Sequence, residues 1–198
     1  MFFSPGGVTR FVEATTRIGL GANDPTRSGF ENAARVNRQL LFERFGQLIT
    51  RHLEHTAVPL RKSVLIEMEQ EFPDEFARTQ ASAFRSGTDI SVTNSLYHYY
   101  ALMTGRAVQQ EKAKVLYVDT TTHAGLDLLE ELRKHRQYHF FCLNDGSFPE
   151  VDPAERAQRV VSFLERYFPI PAPWEKVAAD VSGPAPAAPL ASAPLEGG

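Results

Sequence analysis

A chain of 198 residues with 42% hydrophobic and 23% charged side chains has a globular composition and enough length for one domain with a sizeable core. Its formal charge of −3 offers no global basic field for nucleic acid or anionic lipid. No apolar run approaches the ~20 residues of a membrane span, the opening MFFSPGGVTR lacks the parts of a secretory leader, and Cys142 is the only cysteine, so a cytoplasmic, reducing setting is expected.

Residues 1–30 carry Gly6, Gly7, Gly19, Gly21 and Gly29 with little helical periodicity and are expected to form an irregular arm. From Phe30 to Phe45, Ala33, Ala34, Leu40, Leu41 and Phe45 supply one side of a helix that Gly46 would end. A second helix is predicted from Pro59, a natural first-turn residue, with Leu60, Val64, Leu65, Met68 and Phe72 on its apolar face. Its charges oppose its own dipole: Arg61 and Lys62 fall in the first turn, Glu67, Glu69 and Glu71 toward the other end. No opposite charge stands three or four residues from Arg61 or Lys62 within the segment, so local ion pairs do not explain the arrangement. Two cations beside free helix N–H groups suit a phosphate; the alternative is a solvated face with a small dipole cost.

Pro73 opens a short helix, and Asp89 or Ser91 can cap another that runs to about Thr104 and stops at Gly105. Val92, Leu96, Tyr99, Tyr100 and Met103 form its apolar stripe, and this Tyr-rich face reads as core together with His98. Between those helices, Phe84 to Asp89 form a turn-like link. Residues 115–119, VLYVD, are a strand candidate, and Thr122 to His135 a helix on Leu126, Leu129 and Leu132. The run HFFCLNDG then places Asn144 and Asp145 either at the C-terminal end of a buried strand, where open α/β sheets put ligands, or in a plain Asn-Asp-Gly turn. Asp152 and Pro153 start a last helix whose buried side is expected to hold Val160, Val161, Leu164, Tyr167 and Phe168. Pro169, Pro171 and Pro173 end it, Trp174 is expected to anchor the packing, and residues 177–198 form an Ala/Pro-rich tail expected to be disordered.

The segments AARVNRQLLFERFG, HTAVPLRKSVL, EFPDEFARTQASAFRSGTDIS and SLYHYYALMTGRA resemble the third conserved region of the Stealth family of sugar-phosphate transferases. FFCLNDG with VVSFLERYFPIPAPWEK resembles the fourth, and together the matches cover most of residues 31–176. The fold expected is therefore α/β: the helix-rich C-terminal portion of a Rossmann-like Stealth domain, residues 31–176, with two or three short strands. The resemblance implies that the first two regions lie upstream and that a separate polypeptide could carry this missing N-terminal half. It also implies transfer of a hexose 1-phosphate, such as N-acetylglucosamine 1-phosphate, from a nucleotide sugar donor to a glycan acceptor in capsule or exopolysaccharide synthesis.

Such a reaction needs alignment and charge stabilisation more than a covalent nucleophile. His55 is expected as general base and Arg85 as phosphate clamp, with Asp145 orienting a hydroxyl, His55 or a metal-bound water. Asn37, Arg38, Lys62, Asp89 and Asn144 are expected to bind substrate. A divalent cation, Mg²⁺ or Mn²⁺, is the expected helper, with unknown ligands. Two other chemistries stand beside this one. His52 and His55, three residues apart, are a candidate metal pair, and Cys142 with a histidine is a candidate thiol site; a buried small hydrophobe is the alternative for Cys142. The competing functional class is a non-catalytic glycan-binding or assembly module, or an inactive remnant of a transferase.

Overall fold

The computed structural model describes residues 3–175 apart from positions 5, 25, 111 and 112; the tail expected over 177–198 lies outside the described residues. Three helices begin where the sequence supplies a side-chain cap. Ser28 accepts from the Glu31 N–H at 3.3 Å, and its hydroxyl meets the Glu31 carboxylate at 3.2 Å, which opens α1 (Gly29–Phe45); Gly46 closes it at φ 67°. Thr122 accepts from the Gly125 N–H to start α5 (His123–His135), and Asp152 accepts from the Ala154 and Glu155 N–H groups to start α6 (Pro153–Tyr167).

The opening stretch, expected to be irregular, holds two strands, β1 (Thr9–Phe11) and β2 (Glu13–Arg17). β1 pairs in parallel with β4 (Ala107–Gln109), and β2 pairs antiparallel with β3 (Arg51–Leu53). β5 (Val115–Asp119) and β6 (Phe140–Asn144) pair in parallel from Val115 opposite Phe140 to Asp119 opposite Asn144, with α5 as the crossover. The chain is thus α/β and helix-rich, as its pattern predicts, but the described residues form six short strands in three two-stranded sheets rather than two or three strands. The additional strands are three to five residues long, too short to announce themselves by alternation. No helix among the described residues is long and apolar enough to cross a membrane.

The predicted second helix, α2, spans Lys62–Glu71, so Pro59 lies ahead of it. Arg61 stays extended at its N-cap while its N–H donates to the Tyr97 hydroxyl at 2.7 Å. The adverse charge order is offset by other elements. The Arg61 guanidinium donates to the Gly7 carbonyl, Glu67 accepts from Arg106 at 2.5 and 2.7 Å and from the Tyr100 hydroxyl at 2.7 Å, and Glu71 pairs with Arg44. The following α3 spans Pro73–Ala81. The helix expected to start at Asp89 or Ser91 instead opens with a π-helical turn, Val92–Leu96, and continues as α4 (Tyr97–Met103), with no side-chain cap from either residue. Asn37 supplies the missing order: its amide donates to the Ser91 carbonyl at 2.8 Å and to the Ser95 hydroxyl at 2.6 Å, and accepts from the Ser91 N–H at 3.2 Å.

Two apolar clusters result. One gathers Phe11, Leu41, Met68, Leu96, Tyr97 and Tyr100; the other gathers Val118, Leu126, Leu129, Leu132, Phe163 and Tyr167. Four residues differ from the sequence pattern. Val161 and Phe168 are 52% and 60% exposed while Phe163 is buried, and Trp174 is 84% exposed rather than packed as an anchor among the described residues. The inward side of α6 is the one that meets α5 and Phe141, a choice made by the partner rather than by α6's own pattern.

Candidate functional site

A cavity of about 560 Å³ opens where the end of β1, the start of α1, the loop after β3, the end of α3 and the π-helical turn meet. His55, Arg85 and Asp89 all line it. His55 comes from the short loop after β3, and its ring meets Tyr117 of β5 edge-on at 5.1 Å between centroids. Arg85 lies on the link after α3, which packs on the start of α1: a Cβ at Gly29 would stand 3.0 Å from the Arg85 Cβ. Glycine there permits the close approach.

Asp89 is 7% exposed and braces the same link. It accepts from the Ser86 N–H at 2.7 Å, the Ser82 hydroxyl at 2.8 Å and the Ser86 hydroxyl at 3.0 Å. Burial pushes its carboxyl up, but those hydrogen bonds and the charge of Arg78 outweigh burial and hold it below the usual carboxylate range. Its oxygens are engaged in shaping the loop that presents Arg85.

The remaining predicted residues do not line this cavity. Asn144 sits at the C-terminal end of β6 as expected, and its amide donates to the Tyr117 hydroxyl, so a single side chain separates it from His55. Asp145 pairs with Arg156 at 2.9 Å. Asn37 is buried in the hydrogen bonds to Ser91 and Ser95, Arg38 donates to the Gly19 and Gly21 carbonyls at 2.9 Å each, and Lys62 is exposed at the start of α2.

The cavity also holds residues that sequence reasoning gave no role. Phe84, 90% exposed, and Phe30, 38% exposed, offer aromatic faces of the kind on which a sugar ring can stack. A large aromatic beside an arginine in a polar turn is a usable signal for Phe84. His98, assigned to the core, is 1% exposed, yet it lines the cavity, and its Nδ1 has no hydrogen-bond partner in the structure. Its ring stacks on Phe11 at 5.4 Å, and burial pushes its pKa down to about 4, so it is neutral at pH 7.

The alternative chemistries find little support in the geometry. Among the described residues no three His, Cys, Asp or Glu side chains converge as metal ligands. His52 stacks on Phe30 at 4.9 Å while His55 faces Tyr117, so the two point to different neighbours. Cys142 lies within β6, and burial pushes its thiol up, away from the reactive thiolate.

Comparison with known proteins agrees with the motifs from His55 onward, while AARVNRQLLFERFG lies ahead of the matched range. Residues 54–102 match Stealth protein conserved region 3, and residues 130–185 match conserved region 4. A protein of Mycobacterium leprae named exopolysaccharide phosphotransferase CpsY is 83% identical over 198 residues, all of this chain and 36% of that protein. An exopolysaccharide phosphotransferase of Nocardia farcinica is 65% identical over 186 residues, 94% of this chain and 37% of that protein. One from Streptomyces coelicolor, named exopolysaccharide phosphotransferase SCO6021, is 40% identical over 175 residues, 88% of this chain and 32% of that protein. The chain spans little more than a third of the length of the first two relatives. Carrying both conserved regions in order, with the region 3 match supplying much of the cavity wall, the chain belongs to the Stealth family.

Proposed function

We propose that this chain supplies acid–base and phosphate-binding groups for a sugar-phosphate transfer in exopolysaccharide or capsule synthesis. The observation that carries the reading is the convergence on one cavity of His55, from the loop after β3, with Arg85 and Asp89, from the link after α3. The relatives' name, exopolysaccharide phosphotransferase, is consistent with it.

In the proposed reaction a glycan hydroxyl attacks the sugar-bound phosphorus of a nucleotide sugar. The new P–O bond joins acceptor and sugar phosphate, the bond to the nucleoside monophosphate breaks, and that leaving group takes the electron pair. His55 accepts the hydroxyl proton; Arg85 holds phosphoryl oxygens as charge builds on them. Asp89 keeps the Arg85 loop in shape, Phe84 provides a stacking face for a sugar, and Asn144 acts on His55 through Tyr117. The sugar, the nucleotide and the acceptor belong to the proposal.

The test is release of nucleoside monophosphate from UDP-N-acetylglucosamine by the 198-residue chain, with a mixed glycan acceptor and with Mg²⁺ or Mn²⁺ present or omitted. Release is expected to fall by ~10²-fold or more in His55→Ala, the usual range for loss of a general base, and similarly in Arg85→Ala. Release only on addition of a second polypeptide would mean that the cavity is completed by another chain. Equal release from His55→Ala would remove the base assignment, and absence of both release and donor binding in folded protein would favour a non-catalytic glycan-binding module.

A further inference from the structure

A second cavity, of about 530 Å³, lies on the other side of the Arg85 loop: Thr88 lines it, whereas Asp89 lines the first. Three arginines line it, Arg35 and Arg38 from α1 and Arg78 from α3, and no carboxylate is among its lining residues. None of the three arginines has an ion-pair partner among the described residues, in contrast to Arg44, Arg106 and Arg156.

Their hydrogen bonds go to neutral carbonyl oxygens. Arg38 donates to Gly19 and Gly21 at 2.9 Å each, Arg78 to Thr88 at 3.1 and 3.2 Å, and Arg35 to Glu31 at 3.2 Å. Arg35 is 3% exposed, and its Nε, enclosed by protein, has no partner. A guanidinium cannot shed its proton, so burial beside a second arginine without a counter-charge is costly. Burial, and then the neighbouring charge of Arg35, push the Arg38 pKa down, as expected of cations gathered without an anion. Asp89 is the carboxylate whose charge reaches Arg78, but its oxygens are taken by Ser82 and Ser86.

We propose that this cavity is a second anion site that binds the phosphate group of a phosphorylated sugar or nucleotide, with Arg35, Arg38 and Arg78 as its cationic wall. Guanidinium groups with unused N–H donors match phosphate oxygens in geometry and charge. The cavity volume leaves room for the group that bears the phosphate. Because Thr88 and Asp89 are adjacent, an occupant would hold from behind the loop that presents Arg85 to the first cavity. The site stands apart from the transferase reading, since it requires binding alone.

The experiment follows the arginine Nε–Hε resonances of the full chain by ¹H–¹⁵N NMR while inorganic phosphate, glucose 1-phosphate and UMP are titrated in turn, with sodium chloride of equal ionic strength as control. A saturable shift of the Arg35 resonance that chloride does not reproduce is expected, and Arg78→Gln is expected to weaken it roughly tenfold, the loss of about one charge-assisted hydrogen bond. Arg78 is exposed, so that variant keeps the fold, and Arg78→Lys should recover part of the affinity by restoring the charge. Tighter binding of glucose 1-phosphate than UMP would identify a sugar phosphate as the occupant, and the reverse order a nucleotide. Absence of a saturable shift with all three probes, or a shift that Arg78→Gln leaves unchanged, would overturn the proposal. The second site is judged by the Arg35 resonance and the Arg78 variants, the transferase reading by nucleoside monophosphate release in His55→Ala, so the two fail on different measurements.

Discussion

Acidification should destabilise this fold through His98 before most carboxylates take part. The imidazole is 1% exposed, and burial pushes its pKa down to about 4 against an ordinary value of 6.5. In the unfolded chain His98 binds a proton as the pH falls below about 6.5, while in the folded chain it stays neutral until about pH 4. Stability from this residue is therefore intact above pH 6.5 and lost progressively down to about pH 4. The full difference corresponds to about 3 kcal/mol, with about 2 kcal/mol of it already lost at about pH 5. Urea unfolding at a series of pH values from about 7.5 to about 5 should show this slope in the native chain. His98→Phe, which keeps an aromatic ring against Phe11 and Tyr97, should flatten it. His52, whose pKa burial also pushes down, contributes equally to both proteins and cancels. An NMR titration of the His98 ring gives the folded value directly. Parallel pH profiles for the two proteins, or a folded His98 that titrates near 6.5, would refute the reasoning.

Two further predictions concern stability. A Cβ at Gly125 would stand 1.8 Å from the Asp119 carbonyl oxygen, a backbone atom fixed by the β5–β6 pairing, so Gly125→Ala should lower unfolding free energy by about 2–3 kcal/mol or more; urea titration checks it, and a change within error would mean that α5 shifts freely over β5. Glu67 is held down to about 2, first by its hydrogen bonds from Arg106 and then by Tyr100, but its side chain is 46% exposed and solvent screens the pair. Glu67→Gln should therefore cost only about 1 kcal/mol near pH 7, and the native chain should lose that contribution as the pH falls from 4.5 to about 2; thermal melts at low and high salt should show the difference shrinking as salt rises.

Much of the helical framework was legible because its signals are local. Asp152 with Pro153 acts within one turn and could be read without knowing what the helix packs against; the caps from Ser28 and Thr122 are equally local but came from the structure. Strands of three residues carry no such local signal. β1 exists because Ala107–Gln109 lies beside it, about a hundred residues away in the chain. The exposed Val161 and buried Phe163 of α6 show the same dependence on a partner.

The candidate site divides in the same way. His55 and Arg85 could be singled out from their residue types and motif, since a proton acceptor and a fixed cation are chemical properties that need no fold. That they share a cavity with Asp89 and His98 was not readable, because the cavity is made by contacts between β1, α1, α3 and the π-helical turn. The charge order of α2 is a further case: it looked like an anion site when judged along one helix, and Gly7, Arg106 and Arg44 supply its partners across the fold. The sequence by itself determined the helices, the apolar residues available to fill a core and the chemical types available for phosphate chemistry. Only the tertiary structure decided which of those groups meet, which are spent on holding the backbone, and where three arginines stand together without a carboxylate, because each of those facts depends on distances between segments far apart in the chain.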